Sequence, residues 1–143
     1  MADTSAGFRY RGRISGGEPT IMDLLFNGTE TLTAGDMVNL ETGTVDLGAT
    51  NDAALLGVVL ETKAGTASVT RIKVICDPDA IYGVYDANAR LAGATLDIAG
   101  TTGAMTIATS SNKDVTVWAE STASEETLVV ISHGLHAFNA SQA

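Results

Sequence analysis

Short stretches in which apolar and polar residues alternate recur along the chain and predict β-strands separated by turns. In residues 37–47 (MVNLETGTVDL), two alternating segments flank a turn that contains Gly43. Alternation with a period of two is typical of a strand, and a glycine between two such segments indicates a hairpin. The following apolar run, residues 53–60 (AALLGVVL), is brief and contains β-branched Val58 and Val59. These features favour a buried strand over a helix, although the period alone does not decide.

The same pattern continues on both sides of this region. In residues 67–76, the apolar face of a predicted strand carries Ile72, Val74 and Cys76, so we expect Cys76 to lie in the core as a small hydrophobe. This strand ends at Pro78, which has no amide hydrogen to donate, between two aspartates. Residues 21–26 (IMDLLF) fit a short strand or one helical turn, and we predict a strand. The other predicted strands are residues 81–85, 94–98, 105–107, 115–120 and 127–132, with a second hairpin turn at 100–103.

Six or more short strands separated by polar turns predict an all-β fold with little helix. We expect a small β-barrel, or a β-tulip or sandwich of short antiparallel strands, with an extended N-terminal arm. A chain of 143 residues is the right length for one domain. Residues 1–30 are predicted to form the N-terminal arm and leading segment, residues 31–138 the barrel-like domain, and residues 139–143 a tail.

The net charge of the chain argues against some kinds of binding partner. Seventeen acidic and eight basic residues give a net charge of −9, which argues against nucleic acid and anionic membranes, because phosphate neutralisation requires Lys and Arg. The acidic residues are spread along the chain, which favours a solvated surface over a ligand patch. A single cysteine forms no internal disulfide, and we find neither a signal peptide nor a membrane-spanning run of about 18 apolar residues. We therefore expect synthesis in the cytosol of the producing cell.

Few residues in the sequence are candidates for catalysis or metal binding. Asp77, Asp79 and Asp86 lack the glycine and glutamate of a calcium-binding EF-hand loop and are interpreted as turn residues. His133 and His136 lie three residues apart, but a metal site needs further ligands, and we expect an exposed tail there. Neither a Gly-x-Ser-x-Gly motif nor a phosphate-binding loop is present. The sequence thus predicts a protein that is not an enzyme and has no catalytic residues, cofactor, metal site or small-molecule substrate.

The first 20 residues differ from the rest in composition. Arg9, Arg11 and Arg13 alternate with other residues, among them Tyr10, and Phe8 precedes them. One interpretation is a disordered tail or a first edge strand with a charged face. The other is an arm that leaves its own domain and lies on a partner, with the arginines binding carboxylates and the aromatic side chains providing contact area. We predict these five residues as the protein-interaction site.

A family resemblance adds to this reading. The order strand, Thr-Gly-Thr turn, strand, and then residues 52–59 (DAALLGVV) resembles the capsid decoration proteins of tailed bacteriophages. These proteins, of the β-tulip type, are also called cement or head-stabilisation proteins. The resemblance covers residues 30–86, and the small size and the acidic, Thr-, Gly- and Ala-rich composition are also similar. Residues 81–136 depart from the family pattern.

The resemblance implies a structural virion protein on the exterior of an expanded icosahedral capsid. Its partners would be the major capsid protein and copies of itself in a homotrimer, and it would stabilise the shell without catalysis. The family's N-terminal arm adds a strand to the coat protein, a role that residues 7–14 could perform here. The alternatives are a tail-tube, head-fibre or other minor virion β-protein, or a carbohydrate-binding or adhesin-like module. One tryptophan, Trp118, and three tyrosines make a poor carbohydrate platform, and we expect Trp118 to be a core or interface anchor.

Overall fold

The computed structural model describes residues 7–26, 28, 30–41, 43–48, 55–65, 69–109, 113–132 and 136. The predicted tail at 139–143 and the first six residues lie outside this description. Within the described residues, the chain contains β-strands and no helix, as the alternating pattern predicted. The strands are β1 Arg9–Arg13, β2 Ile21–Phe26, β3 Met37–Glu41, β4 Thr44–Leu47, β5 Leu55–Val59, β6 Thr70–Ile75, β7 Ala80–Asp86, β8 Thr95–Ala99, β9 Thr106–Thr109, β10 Val115–Ala119 and β11 Glu125–Ile131.

The strands form two antiparallel sheets. One has six strands in the order β1-β7-β11-β10-β8-β9, and the other has five in the order β2-β6-β5-β3-β4. The fold is therefore a small β-sandwich and not a closed barrel. Both predicted hairpins are confirmed: β3 pairs with β4 and closes at Glu41 and Thr44, and β8 pairs with β9 and closes at Ala99 and Thr106. Residues 21–26 form a strand and not a helical turn.

Two hydrophobic clusters hold the sheets together. The intersheet cluster contains residues from both sheets, whereas the outer cluster lies on the other face of the five-stranded sheet, whose edge strands β2 and β4 approach each other. Strand β5 contributes to both, with Leu55 and Val58 in the first and Leu56 and Val59 in the second. Complete burial of such a side chain stabilises the fold by about 1.5–3 kcal/mol. The predicted buried strand is confirmed, and it is covered on both faces.

Aspartate side chains fasten the loops that connect these strands. Asp36 is 1% exposed, and its carboxylate accepts hydrogen bonds from the backbone N–H of Thr33 at 2.8 Å and of Gly103 at 2.9 Å. It also accepts the Thr102 hydroxyl at 2.5 Å, so it joins a loop of one sheet to a loop of the other. Asp114 is buried too and accepts the N–H of Ile98. The expectation of a solvated acidic surface is wrong for these residues, because their carboxylates replace water at backbone donors.

Candidate protein-interaction site

The predicted interaction segment is an edge strand of its own domain. Strand β1 pairs with β7, with Arg9 opposite Gly83 and Arg13 opposite Ala80, and a β-bulge lies between Tyr10 and Gly12. Phe8 is 2% exposed and packs in the intersheet cluster. The structure agrees with the first of the two interpretations of this segment, because Arg9–Arg13 form an edge strand. A contact between β1 and another protein stays a prediction.

Arg11 forms an ion pair that crosses a neighbouring strand. Its guanidinium donates to both carboxylate oxygens of Glu126, Nη2 to Oε2 at 2.6 Å and Nε to Oε1 at 2.9 Å. Glu126 lies on β11, which is separated from β1 by β7. The pair spans β7 at Gly83, where an added Cβ atom would lie 2.3 Å from the Glu126 Cδ atom. The missing side chain at Gly83 thus makes room for a bidentate ion pair between non-adjacent strands.

Arg13 is also paired within the chain. Its Nε atom lies 3.0 Å from Asp79 Oδ1 and 3.6 Å from Asp77 Oδ1. Burial raises the pKa of Asp79, but hydrogen bonds from the Ser15 hydroxyl and backbone and from Arg13 outweigh it, so that the pKa lies below its usual value. Asp77 and Asp79 are turn residues, as predicted, and they also anchor the end of β1. Arg11 and Arg13 therefore both meet carboxylates of their own chain.

A cleft of about 270 Å³ runs along the free edge of β1. Phe8, Arg9 and Tyr10 line one side, and residues 58–60 with Ile75 line the other. The Tyr10 hydroxyl is buried there and has no hydrogen-bond partner among the described residues. Burial, with a smaller effect of Asp77, raises the pKa of Tyr10. Three of the five predicted site residues thus lie together at a cleft between the two sheets.

Beyond this cleft, the five-stranded sheet has a surface that the six-stranded sheet does not cover. Side chains on this side of the sheet are buried at Val58 and Ile75, where the other sheet packs over them. Farther out, the apolar residues on the same side are 40% to 71% exposed. We call this surface the β2–β6 face; it comprises Ile21, Asp23 and Leu25 of β2, Arg71 and Lys73 of β6, and the neighbouring Leu60 and Val69.

Sequence reasoning missed the β2–β6 face. Met22, Leu24 and Phe26 pack on the outer cluster, whereas the alternate positions Ile21 and Leu25 point away from it and are exposed. A strand that is apolar on both sides was the available signal, because an edge strand with one buried face is expected to have polar residues on the other.

A second exposed apolar surface lies on the outer side of the six-stranded sheet. A groove of about 430 Å³ there is bounded by Trp118, which is 46% exposed. Trp118 is therefore not a core residue, and its predicted role as an interface anchor stays a prediction. We call this surface the Trp118 face; its groove is lined by Ile14, Pro78, Asp79, Thr116, Val117, Trp118, Val130 and Ile131.

The expectation of an exposed histidine tail is wrong for His136. His136 is 1% exposed and forms an isolated parallel bridge with Leu55 of β5. Burial lowers the pKa of its imidazole, against smaller opposing effects of backbone groups of Leu56 and Cys76 and of Asp77. His133 lies outside the described residues. Sequence pattern gave no sign of this contact, because it joins positions far apart in the chain.

Other groups with possible chemistry have structural partners. Asp86 is buried and pairs with the guanidinium of Arg90 in the loop after β7. Cys76 is buried, as predicted, and burial raises the pKa of its thiol to about 11. Among the residues that the structure describes, no three His, Cys, Asp or Glu side chains are grouped closely enough to hold a metal ion. In that same part of the chain, there is also no helix with the length and apolar character needed to span a bilayer.

Comparison with known proteins gives a similarity of fold. No protein-family model matches the chain, and no curated protein matches it. Among solved structures, the chain is similar to the N base of the head fibre protein gp8.5 of bacteriophage phi29. The TM-score is 0.51 at 15% sequence identity, and the match covers 79% of this chain and 95% of that one. At this identity, the likeness shows the fold alone.

Proposed function

We propose that this chain is a structural protein of a bacteriophage virion, located on the exterior of the head and without enzymatic activity. The observation that carries the proposal is the shared fold with a phage head fibre base over most of both chains. The family resemblance found in residues 30–86 points independently to the same kind of particle. The exposed apolar surfaces of the β2–β6 face and the Trp118 face agree with a protein that works by contacting other proteins.

Within this role, we propose that the chain acts as a decoration or cement protein that binds the major capsid protein of the expanded shell. Binding to the expanded form alone stabilises that form by mass action. A set of copies that bridges neighbouring capsomers strengthens weak individual contacts through effective concentration. The cleft beside β1, lined by Phe8, Arg9 and Tyr10, is a site at which an extended coat-protein segment could pair with the edge strand.

A second role, the base of a head fibre, is supported by the phi29 structure itself. Both roles place the domain on the capsid surface, and they differ in what the domain carries. A decoration protein covers many equivalent positions of the shell, whereas a fibre base connects the shell to an attached fibre. Occupancy of the capsid lattice therefore distinguishes the two.

The test is binding of the purified chain to capsids of the phage that encodes it, prepared without this protein. We expect co-sedimentation with expanded capsids and weaker binding to unexpanded ones. Saturation at a copy number that matches the capsomer lattice would identify a decoration protein, and saturation at a small subset would identify a fibre base. Absence of binding to either form would refute the proposed function.

Tyr10→Ser tests the role of the β1 cleft in capsid binding. Tyr10 lines this cleft and is only partly buried, so the fold should tolerate the substitution. We expect the variant to bind expanded capsids less tightly than the parent chain. Thr101→Ser, in the exposed β8–β9 turn, is the control and is expected to bind normally. Thermal unfolding of both variants verifies that the fold is retained.

A further inference from the structure

We propose that two copies of the chain exchange β1, so that β1 of each copy pairs with β7 of the other. This inference rests on the topology and the contacts of β1, and it does not depend on the proposed capsid role. A reciprocal exchange joins two copies about a twofold axis. Each contact that β1 makes within one chain is then made again between the two chains.

Strand β1 is separated along the chain from the rest of its sheet. The other strands of the six-stranded sheet lie between Ala80 and Ile131, and the whole five-stranded sheet, from Ile21 to Ile75, comes between them and β1. Among the described strands, β1 lies at an edge and pairs with β7 alone. Removal of β1 from its position therefore leaves the order and the pairing of the other strands intact.

The connection from β1 to β2, residues 14–20, has few contacts to lose. Gly16 and Gly17 have positive φ angles of 79° and 88°, and a Cβ atom added to either would meet no described atom within 4 Å. Glycine leaves such a conformation for an extended one at little steric cost. Ile14 and Ser15 bond to Asp79 beside β7, and these bonds would move with β1 to the other copy. When extended, the seven residues span at most about 23–25 Å, enough to reach an adjoining molecule.

The position of β1 on its own chain leaves polar groups unsatisfied. Tyr10 of β1 lies directly opposite Tyr82 of β7, and both hydroxyls are buried with no hydrogen-bond partner among the described residues. A buried donor without an acceptor costs free energy. Departure of β1 returns the Tyr10 hydroxyl to water, which offsets part of the packing that is lost. The edge therefore opens more easily than one whose polar groups are all paired.

The site that β1 leaves is complementary to β1 itself. Phe8 packs in the intersheet cluster, and Arg11 reaches Glu126 across the missing side chain of Gly83. A second copy presents the same apolar site and the same carboxylate behind the same glycine. Main-chain pairing with β7 is available to any extended segment, but these side-chain contacts favour another β1 over an unrelated strand.

A charge reversal split between two chains tests the exchange. Arg11→Glu places two carboxylates together within one chain, and Glu126→Arg places two guanidinium groups together within the other. When these two variants exchange β1, the new carboxylate at position 11 meets the new guanidinium at position 126. The native Arg11 of one chain likewise meets the native Glu126 of the other. Exchange of β1 thus converts two like-charge contacts into two ion pairs.

Sedimentation velocity measures the association of each variant alone and of their equimolar mixture. We expect the mixture to dimerise at least about tenfold more strongly than either variant, because like charges held together are strongly unfavourable. The control carries Arg11→Glu and Glu126→Arg in the same chain, which restores the ion pair internally. This control should associate like the parent chain, and mixing it with the parent should bring no gain.

Thermal unfolding verifies that each variant is folded, as expected for an ion pair whose side chains are 44% and 23% exposed. If repulsion prevents a variant from folding alone, refolding the two together from urea should restore native tryptophan fluorescence and yield the dimer. A mixture that associates no more strongly than its components, by either preparation, would overturn the inference. Capsid binding by the parent chain is measured separately, so exchange can fail while the proposed function stands.

Discussion

Replacing Asp36 by alanine tests whether a buried aspartate helps to hold the two sheets together. The Asp36 carboxylate accepts three hydrogen bonds, from the N–H groups of Thr33 and Gly103 and from the Thr102 hydroxyl. The substitution removes all three hydrogen bonds, two of which link the loop before β3 to the β8–β9 turn. Asp36→Ala is therefore expected to destabilise the whole sandwich and not only one loop.

The magnitude follows from the exposure of the donors. A hydrogen bond to a charged group contributes about 1.5–3 kcal/mol, and a buried donor left without an acceptor costs about 1–3 kcal/mol. Thr33 is half-buried and Gly103 is exposed, so water can replace part of the lost bonding. We expect a loss of about 2–4 kcal/mol, a large fraction of the roughly 5–15 kcal/mol that stabilises a typical domain.

Urea unfolding monitored by tryptophan fluorescence measures this loss. The midpoint urea concentration should fall, while the dependence of the unfolding free energy on urea concentration stays unchanged. Asp36→Asn should lose about 1–2 kcal/mol, because its carbonyl still accepts while its amide meets a donor. Asp23→Ala, at an exposed position of β2, is the control and should stay within about 0.5 kcal/mol of the parent. If Asp36→Ala unfolds at the same urea concentration as the control, the proposed link between the sheets is refuted.

Three further predictions concern other buried groups. Gly57→Ala is expected to cost more than about 3 kcal/mol, or to prevent folding, because its Cβ atom would lie 1.7 Å from the carbonyl oxygen of Ile75; an unchanged melting temperature would contradict this. Because burial lowers the pKa of His136, the unfolded chain binds its proton more readily, so stability should be full above about pH 6.5 and decrease below it. In His136→Asn, the free energy of unfolding should decrease less between about pH 7 and 5 than in the parent chain. An equal dependence on pH in both chains would show that His136 is not the group responsible. With its pKa raised to about 11, the Cys76 thiol should react with a thiol reagent at neutral pH only after unfolding, and rapid reaction of the folded chain would show that it is accessible.

The strands were predictable because their signals are local. Alternation in residues 37–47 and the apolar side of β6 each require only a few consecutive residues, and both appear in the structure. The order of strands within the sheets was not predictable. Strand β1 pairs with β7, about 70 residues later in the chain, and the sequence around Arg9 contains no information on that choice.

The candidate site was predictable as a set of residues but not as an arrangement. Clustering of Arg9, Arg11 and Arg13 drew attention to the segment, yet the pairing of Arg11 with Glu126 depends on the absence of a side chain at Gly83. Likewise, a count of acidic residues does not distinguish Asp36, buried against backbone donors, from an aspartate in solvent. Both depend on contacts that only the folded chain creates.

The position of β5 has a consequence for how the domain unfolds. Its side chains contribute to both hydrophobic clusters, so neither cluster can lose its packing without exposing apolar residues of the other. A state in which only one sheet is unfolded is therefore high in free energy, and the domain should unfold in a single cooperative step. Amide hydrogens of β5 should then be among the slowest to exchange with solvent, at a rate set by global opening.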